Sequence, residues 1–204
     1  MAIINQATKE LQVKIVYYGP AMCGKTTNLL KVHENIQTAQ EKGKLVSLAT
    51  SSDRTLFFDF LPIEAMSIKG FKTKFQLYTV PGQVIYNTTR QLVLRGVDGI
   101  VFVADSQYEK MAENVESFAN LEDNLRTLKL NLANIPYLLQ YNKRDLPNIA
   151  PIDYMEFLLN NRDVQVPSFS ACAHKVEGVF ETLNMITRML LHKYINESAR
   201  KPAA

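Results

Sequence analysis

Gly19-Pro20-Ala21-Met22-Cys23-Gly24-Lys25-Thr26 decides how the rest of this chain is read. It fits the pattern G-x-x-x-x-G-K-[ST], a glycine loop whose backbone N–H groups cradle phosphates. Its flanks agree with it. Leu11 to Tyr18 (LQVKIVYY) is rich in β-branched and aromatic residues and predicts a strand. Lys25 to Thr38 holds neither Gly nor Pro and predicts a helix. In that order, the loop amides and the positive end of the helix face one anion. Gly19, Ala21, Met22, Cys23, Gly24, Lys25, Thr26 and Thr27 are therefore the candidate phosphate contacts. Lys25 reaches the terminal phosphates, and the Thr26 hydroxyl can ligate Mg²⁺. The bland alternative is a chance match in an unsuited loop, and the strand and helix on either side argue against it.

Working outward, the next strong signal is Asn142-Lys143-Arg144-Asp145, directly after the buried strand predicted over Ile135 to Tyr141. Ligands of open α/β sheets bind beyond the carboxyl ends of the strands, which suits a base contact at this point. An Asp145 carboxylate can accept from the N1–H and the 2-amino group of guanine. Adenine offers neither donor and would strand a desolvated charge, at about 1.5–3 kcal/mol per lost charged hydrogen bond. Taken alone, the tetrapeptide also suits a polar surface turn; the glycine loop upstream favours the base reading. Ser170-Ala171-Cys172 follows the next predicted strand, where its N–H groups could meet the base carbonyl. Cys23 and Cys172 read as small space-fillers, Cys23 pointing under the loop. His33, His174 and His192 show no metal spacing.

The remaining chain alternates strands and helices. Gly99 to Ala104 (GIVFVA) is a continuous apolar run, as in a strand covered on both faces. Glu109 to Leu132 predicts a long helix, with Met111, Val115, Phe118, Leu121, Leu125 and Leu128 on its inner face. Pro151 to Asn161 predicts another helix, Val166 to Ser170 a short strand, and Val179, Leu183, Ile186 and Leu190 the inner face of a closing helix. Leu45 to Ala49 is a short strand, residues 50–55 a polar loop, and Met66 to Thr79 a hairpin about Gly70. Residues 80–95 read as irregular or partly helical. The fold class is α/β: a mostly parallel sheet of about six strands or slightly more, helices on both faces. One domain is expected over residues 1–195, with 196–204 a flexible tail.

The 204 residues, 47% of them hydrophobic, suffice for one well-buried domain. A net charge of +3, spread without a basic block, does not read as a nucleic-acid footprint. Two cysteines exclude a disulfide framework and suit a reducing compartment. The opening MAIINQATKE lacks the charge and apolar core of a signal peptide, and neither end carries a lipidation signal. The expectation is a cytoplasmic protein with no direct lipid anchor. A metabolic P-loop kinase would need an arginine-rich lid, and the sequence shows no such cluster.

With these strings in place, the chain resembles small Ras-like GTPases, and more closely the bacterial MglA subgroup. YYGPxxCGKTTNL, DRTLFFDFLP, YTVPGQ, GVDGIVFVADSQ and QYNKRDLPN carry the likeness. The resemblance implies a GTP-binding switch that hydrolyses GTP and acts in cell polarity or motility. It implies Mg²⁺ and GTP or GDP as ligands, nucleotide-dependent effectors, and a roadblock-type, MglB-like activating protein. By the same likeness, Thr55 senses Mg²⁺ and the γ-phosphate. Gly82 and Gln83 are the glycine and water-orienting glutamine of the second switch, and Arg54 is an arginine that the subgroup itself carries. Two positions depart from the Ras pattern. Thr79 stands where Asp is usual, so the Mg²⁺ lacks its ordinary neighbouring charge. Asp59 could supply that charge through water, or be a carboxylate satisfied by a local turn. Ala21 stands where Gly is common, its methyl approaching the space of the attacking water. Slow turnover follows, or at the extreme a nucleotide-bound scaffold. The aromatic run Phe57 to Phe60 leaves open whether the first switch opens by loop motion or by a strand shift.

Overall fold

The protein is described from a computed structural model, which covers residues 3–5, 9–36, 46–49, 55–68, 71–162 and 164–200. Its strands are β1 (Ile3–Asn5), β2 (Glu10–Tyr18), β3 (Val46–Ala49), β4 (Thr55–Ile68), β5 (Phe71–Thr79), β6 (Gly99–Asp105), β7 (Tyr137–Asn142) and β8 (Ser168–Ser170). The helices are α1 (Lys25–Asn35), α2 (Asn87–Leu94), α3 (Met111–Thr127), α4 (Ile152–Leu159) and α5 (Val179–Arg200). One sheet runs in the order β3-β4-β5-β2-β6-β7-β8. From β5 to β8 its neighbours are parallel, while β3, β4 and β5 pair antiparallel. The short β1 pairs with Glu10 to Gln12 of β2, ahead of the point where β6 joins at Ile15.

Side-chain alternation builds two cores from the same strands. Val16 and Tyr18 of β2, Ile100 and Phe102 of β6, and Leu139 and Tyr141 of β7 face one way, under Leu94 of α2, Phe118 and Leu121 of α3, and Met155 of α4. Val13, Ile15 and Tyr17, Val101 and Val103, and Leu138 face the other, under Leu29 of α1 and Val179, Ile186 and Leu190 of α5. The whole of β6 is buried, as its unbroken apolar run predicts. Among the described residues, no helix is long and apolar enough to cross a membrane.

Three elements differ from the sequence expectation. The aromatic segment from Leu56 is not a separate stretch: it belongs to β4, one strand of 14 residues that also takes in Met66 to Ile68. Pro62, which has no N–H to donate, is tolerated there because the β3 register ends at Phe60. Helix α3 stops at Thr127 rather than Leu132. Lys129 turns left-handed at φ 58°, and Leu130 N–H reaches back to Leu125 O at 2.9 Å, closing the helix end. Val115 is 41% exposed, not inward, whereas Met111, Phe118, Leu121 and Leu125 are buried. Helix α5 continues past residue 195 to Arg200, and residues 201–204 lie outside the described residues.

Candidate functional site

The glycine loop runs from the carboxyl end of β2 into α1. Gly24 caps α1 in a left-handed conformation, φ 103°. A Cβ there would lie 2.1 Å from Asn142 Nδ2, so only glycine lets the base loop approach this closely. The first helical hydrogen bond is Asn28 N–H to Gly24 O at 3.0 Å, which leaves the amides of the preceding turn ahead of the ladder. Lys25 is 6% exposed; its ammonium donates to Pro20 O at 2.5 Å and Gly19 O at 3.1 Å, and contacts Cys23 Sγ at 3.6 Å. No carboxylate among the described residues forms a salt bridge with it. Burial pushes the Lys25 pKa down, so the charge is costly until an anion arrives. Cys23 is fully buried beneath the loop, as expected, and burial raises its pKa. Met22 turns outward, 79% exposed at φ 60°, and Thr27 is half-buried in the first turn of α1.

Thr26 decides between the two readings of Asp59. Its hydroxyl donates to Asp59 Oδ2 at 2.6 Å. The same oxygen accepts from Thr79 Oγ1 at 2.8 Å, and Thr79 Oγ1 accepts the Asp59 N–H at 2.9 Å. Asp59 is 1% exposed and lies in mid-strand, so it is not a local-turn carboxylate. The carboxyl group that Thr79 of β5 lacks thus stands one strand over, on β4. Hydroxyl and carboxylate together are a hard oxygen set of the kind that fits Mg²⁺, with the Thr26 hydroxyl donating backward to Asp59 Oδ2.

The segment expected to form the second switch follows β5, from Pro81 onward. A Cβ on Gly82 would sit 2.3 Å from Ala21 Cα and 2.8 Å from Ala21 N, so this glycine rests directly on the phosphate loop. Gln83 starts a tight turn, Val84–Tyr86, that leads into α2. Thr55 opens β4 opposite Ala49. Arg54 lies outside the described residues.

The base end is built around Asn142. Its Nδ2 donates to Cys23 O at 2.8 Å and its Oδ1 accepts from Ala173 N–H at 2.9 Å, so it ties the phosphate loop to the loop after β8. Lys143, left-handed at φ 66°, pairs with Asp105 Oδ2 at 2.6 Å. Sequence reasoning missed Asp105; the available signal was an acid at the end of the buried β6 run. Arg144 donates to Ala150 O at 2.6 Å and braces the loop from behind. Asp145 lies 3.6 Å from His174 Nε2 and 4.0 Å from Lys175 Nζ. The Cys172 thiol donating to it, with the positive groups nearby, holds its carboxyl below the usual range. Burial first, and then Asp145, raises the Cys172 thiol. Ser170 is exposed. The Ala171 and Cys172 N–H groups, expected to face a base carbonyl, donate instead to Tyr141 O at 2.8 Å and Glu177 O at 3.0 Å. Behind them Asn28 and Gln140 exchange two amide hydrogen bonds, 2.8 and 3.0 Å, and Gln140 also donates to Thr182 Oγ1.

A phosphate loop on β2, a carboxylate-backed hydroxyl at its helix, and an acid-bearing loop after β7 define a nucleotide switch of the P-loop kind. The Ras family matches residues 14–192: the chain belongs to that family and is a GTPase. Over 191 residues it is 53% identical to the mutual gliding-motility protein MglA of Myxococcus xanthus, covering 94% of this chain and 96% of that protein. It is 25% identical over 181 residues to the Ras-related protein Rab-13 of Canis lupus familiaris, covering 88% and 80% of the two chains. The family match sets the metabolic-kinase alternative aside.

Proposed function

We propose that this chain is a slowly hydrolysing GTP switch that controls cell polarity or motility by binding partners according to its nucleotide. The observation that carries the reading is the likeness to the gliding-motility protein along 94% of the chain, joined to a site with both phosphate and guanine elements. Lys25 and the loop amides hold the phosphates, and Asp145 selects guanine. Thr26, backed by Asp59, and Thr55 would hold Mg²⁺, which would supply positive charge against the charge developing on the phosphates. Gln83 orients the attacking water. Arg54, next to Thr55, brings a guanidinium to the γ-phosphate oxygens, where such a charge accelerates transfer by roughly 10³–10⁵. Ala21, against which Gly82 rests, crowds the water and slows the isolated protein.

Two surfaces follow from two ligands, because GTP makes γ-phosphate contacts that GDP lacks. A roadblock-type, MglB-like protein that aligns Arg54 stimulates hydrolysis without an arginine of its own. Partners of this kind also bring the protein to a cell pole or the inner membrane face. Single-turnover GTP hydrolysis, with and without such a partner, tests the reading. Stimulation that survives Arg54→Ala excludes the internal arginine, and equal affinity for ATP and GTP removes the guanine assignment.

A further inference from the structure

Arg90 lies in the middle of α2 and is 0% exposed, the largest fully buried side chain among the described residues. Arginine is almost never fully buried unless paired, yet no carboxylate among the described residues forms a salt bridge with Arg90. Its partners are neutral oxygens. Nε donates to Pro81 O at 2.9 Å and one terminal nitrogen to Gly82 O at 2.6 Å. The other terminal nitrogen donates to Asn120 Oδ1 at 2.6 Å and lies 3.4 Å from Tyr18 Oη, with the guanidinium 5.0 Å over the Tyr18 ring. Those acceptors are themselves fixed. Tyr18 Oη donates to Asn120 Oδ1 at 2.7 Å and accepts from Asn124 Nδ2 at 2.9 Å, while Asn87 Oδ1 accepts from both asparagines. The platform therefore spans the last residue of β2 before the glycine loop, and the face of α3.

The peptide unit is planar, so holding a carbonyl sets the direction of the next residue's N–H. By gripping Pro81 O, Arg90 aims the Gly82 N–H; by gripping Gly82 O, it aims the peptide that carries Gln83. A tether whose only task was to hold α2 on α3 would need neither bond. We propose that Arg90 is a positioning residue for GTP hydrolysis, its planar fork fixing two successive peptides of the second switch against the platform of Tyr18, Asn120 and Asn124. The proposal rests on the assignment of Gly82 and Gln83 to the γ-phosphate and the attacking water. The fork geometry is specific to guanidinium, because lysine offers a point charge that cannot span both carbonyls.

The test is single-turnover hydrolysis of GTP by Arg90→Ala and Arg90→Lys, with affinities for GDP and a non-hydrolysable GTP analogue measured beside it. The expected result is a rate lowered by about tenfold to 100-fold, as small displacements of a reacting group produce. Affinities stay within a few-fold of wild type, and the lysine variant is nearly as slow as the alanine. Guanidinium ion restores part of the Arg90→Ala rate, whereas urea, of the same shape but neutral, does not. Should Arg90→Ala fail to fold, Asn120→Ala loosens the same fork from α3 and gives the same split on a smaller scale. A folded Arg90→Ala or Asn120→Ala that hydrolyses like wild type overturns the proposal. So does a parallel loss of rate and both affinities, the signature of a merely structural role. Wild type that fails to hydrolyse GTP overturns the proposed function; wild type that hydrolyses beside an equally active variant overturns only the role of Arg90.

Discussion

The two halves of the sheet are built differently. From β2 to β8 the strands are parallel, β6 and β7 are buried throughout, and the loops at their carboxyl ends are laced by Asn142, Gln140 and Asn28. From β5 to β3 the pairing is antiparallel, with register breaks between Ser47 and Ala49 and between Ala65 and Ile68. Asp59 and its two threonines tie that edge to the phosphate loop. The proposed phosphate and base contacts therefore sit on the parallel, locked half, and Thr55, proposed to report on the γ-phosphate, sits on the antiparallel edge. A switch needs this division: a ligand can only move what the fold has not already fixed at high cost.

The contrast is tested most severely on the locked half. Lys25→Ala removes the buried cation of the glycine loop, and nucleotide binding should be lost in titrations with a fluorescent guanine nucleotide. Thermal stability should hold or rise, because the fold no longer carries a desolvated ammonium. If the variant binds nucleotide normally, the loop is not organised around this charge. Asp145→Asn should weaken GTP binding by about 10²–10⁴, the equivalent of two charged hydrogen bonds at roughly 1.5–3 kcal/mol each, and favour xanthosine triphosphate. Competition between the two nucleotides reads this directly, and unchanged preference would remove Asp145 from the base site.

On the other half, Asp59→Asn should raise the Mg²⁺ concentration needed to slow GDP release by about 10–100-fold. Release in the presence of a chelator should not change. An unshifted Mg²⁺ midpoint would make Asp59 a fold residue only. Gly82→Ala places a methyl on the Ala21 backbone, so hydrolysis should slow while GDP affinity stays within a few-fold. Equal rates for variant and wild type would show that the contact is lost during turnover.

The smallest expected effect is on pH. Burial lowers the Lys25 pKa in the free protein, and bound phosphate favours the charged form. Nucleotide binding therefore takes up a proton at alkaline pH. Affinity is full below the lowered pKa and declines as pH rises through it. Asp145, held below the usual carboxylate range, stays ionised from pH 5 upward and adds no slope there. Isothermal titration in two buffers of different ionisation heat measures the proton uptake.

The sequence alone determined the order of strand, glycine loop and helix, the buried strands β6 and β7, and the Asp145 loop beyond β7. These are signals of local period and turn chemistry, in which each residue is read against neighbours a few positions away. It misjudged the end of α3, because a left-handed lysine closes that helix where glycine would have announced the stop. Tertiary structure decided the rest. Asp59 meets Thr26 across 33 positions, Asn142 meets Cys23 across 119, and Arg90 meets Tyr18 across 72. Pairings at such separations are set by strand order and register. The alternation of apolar and polar residues says which face a side chain takes, but not which strand will lie beside it.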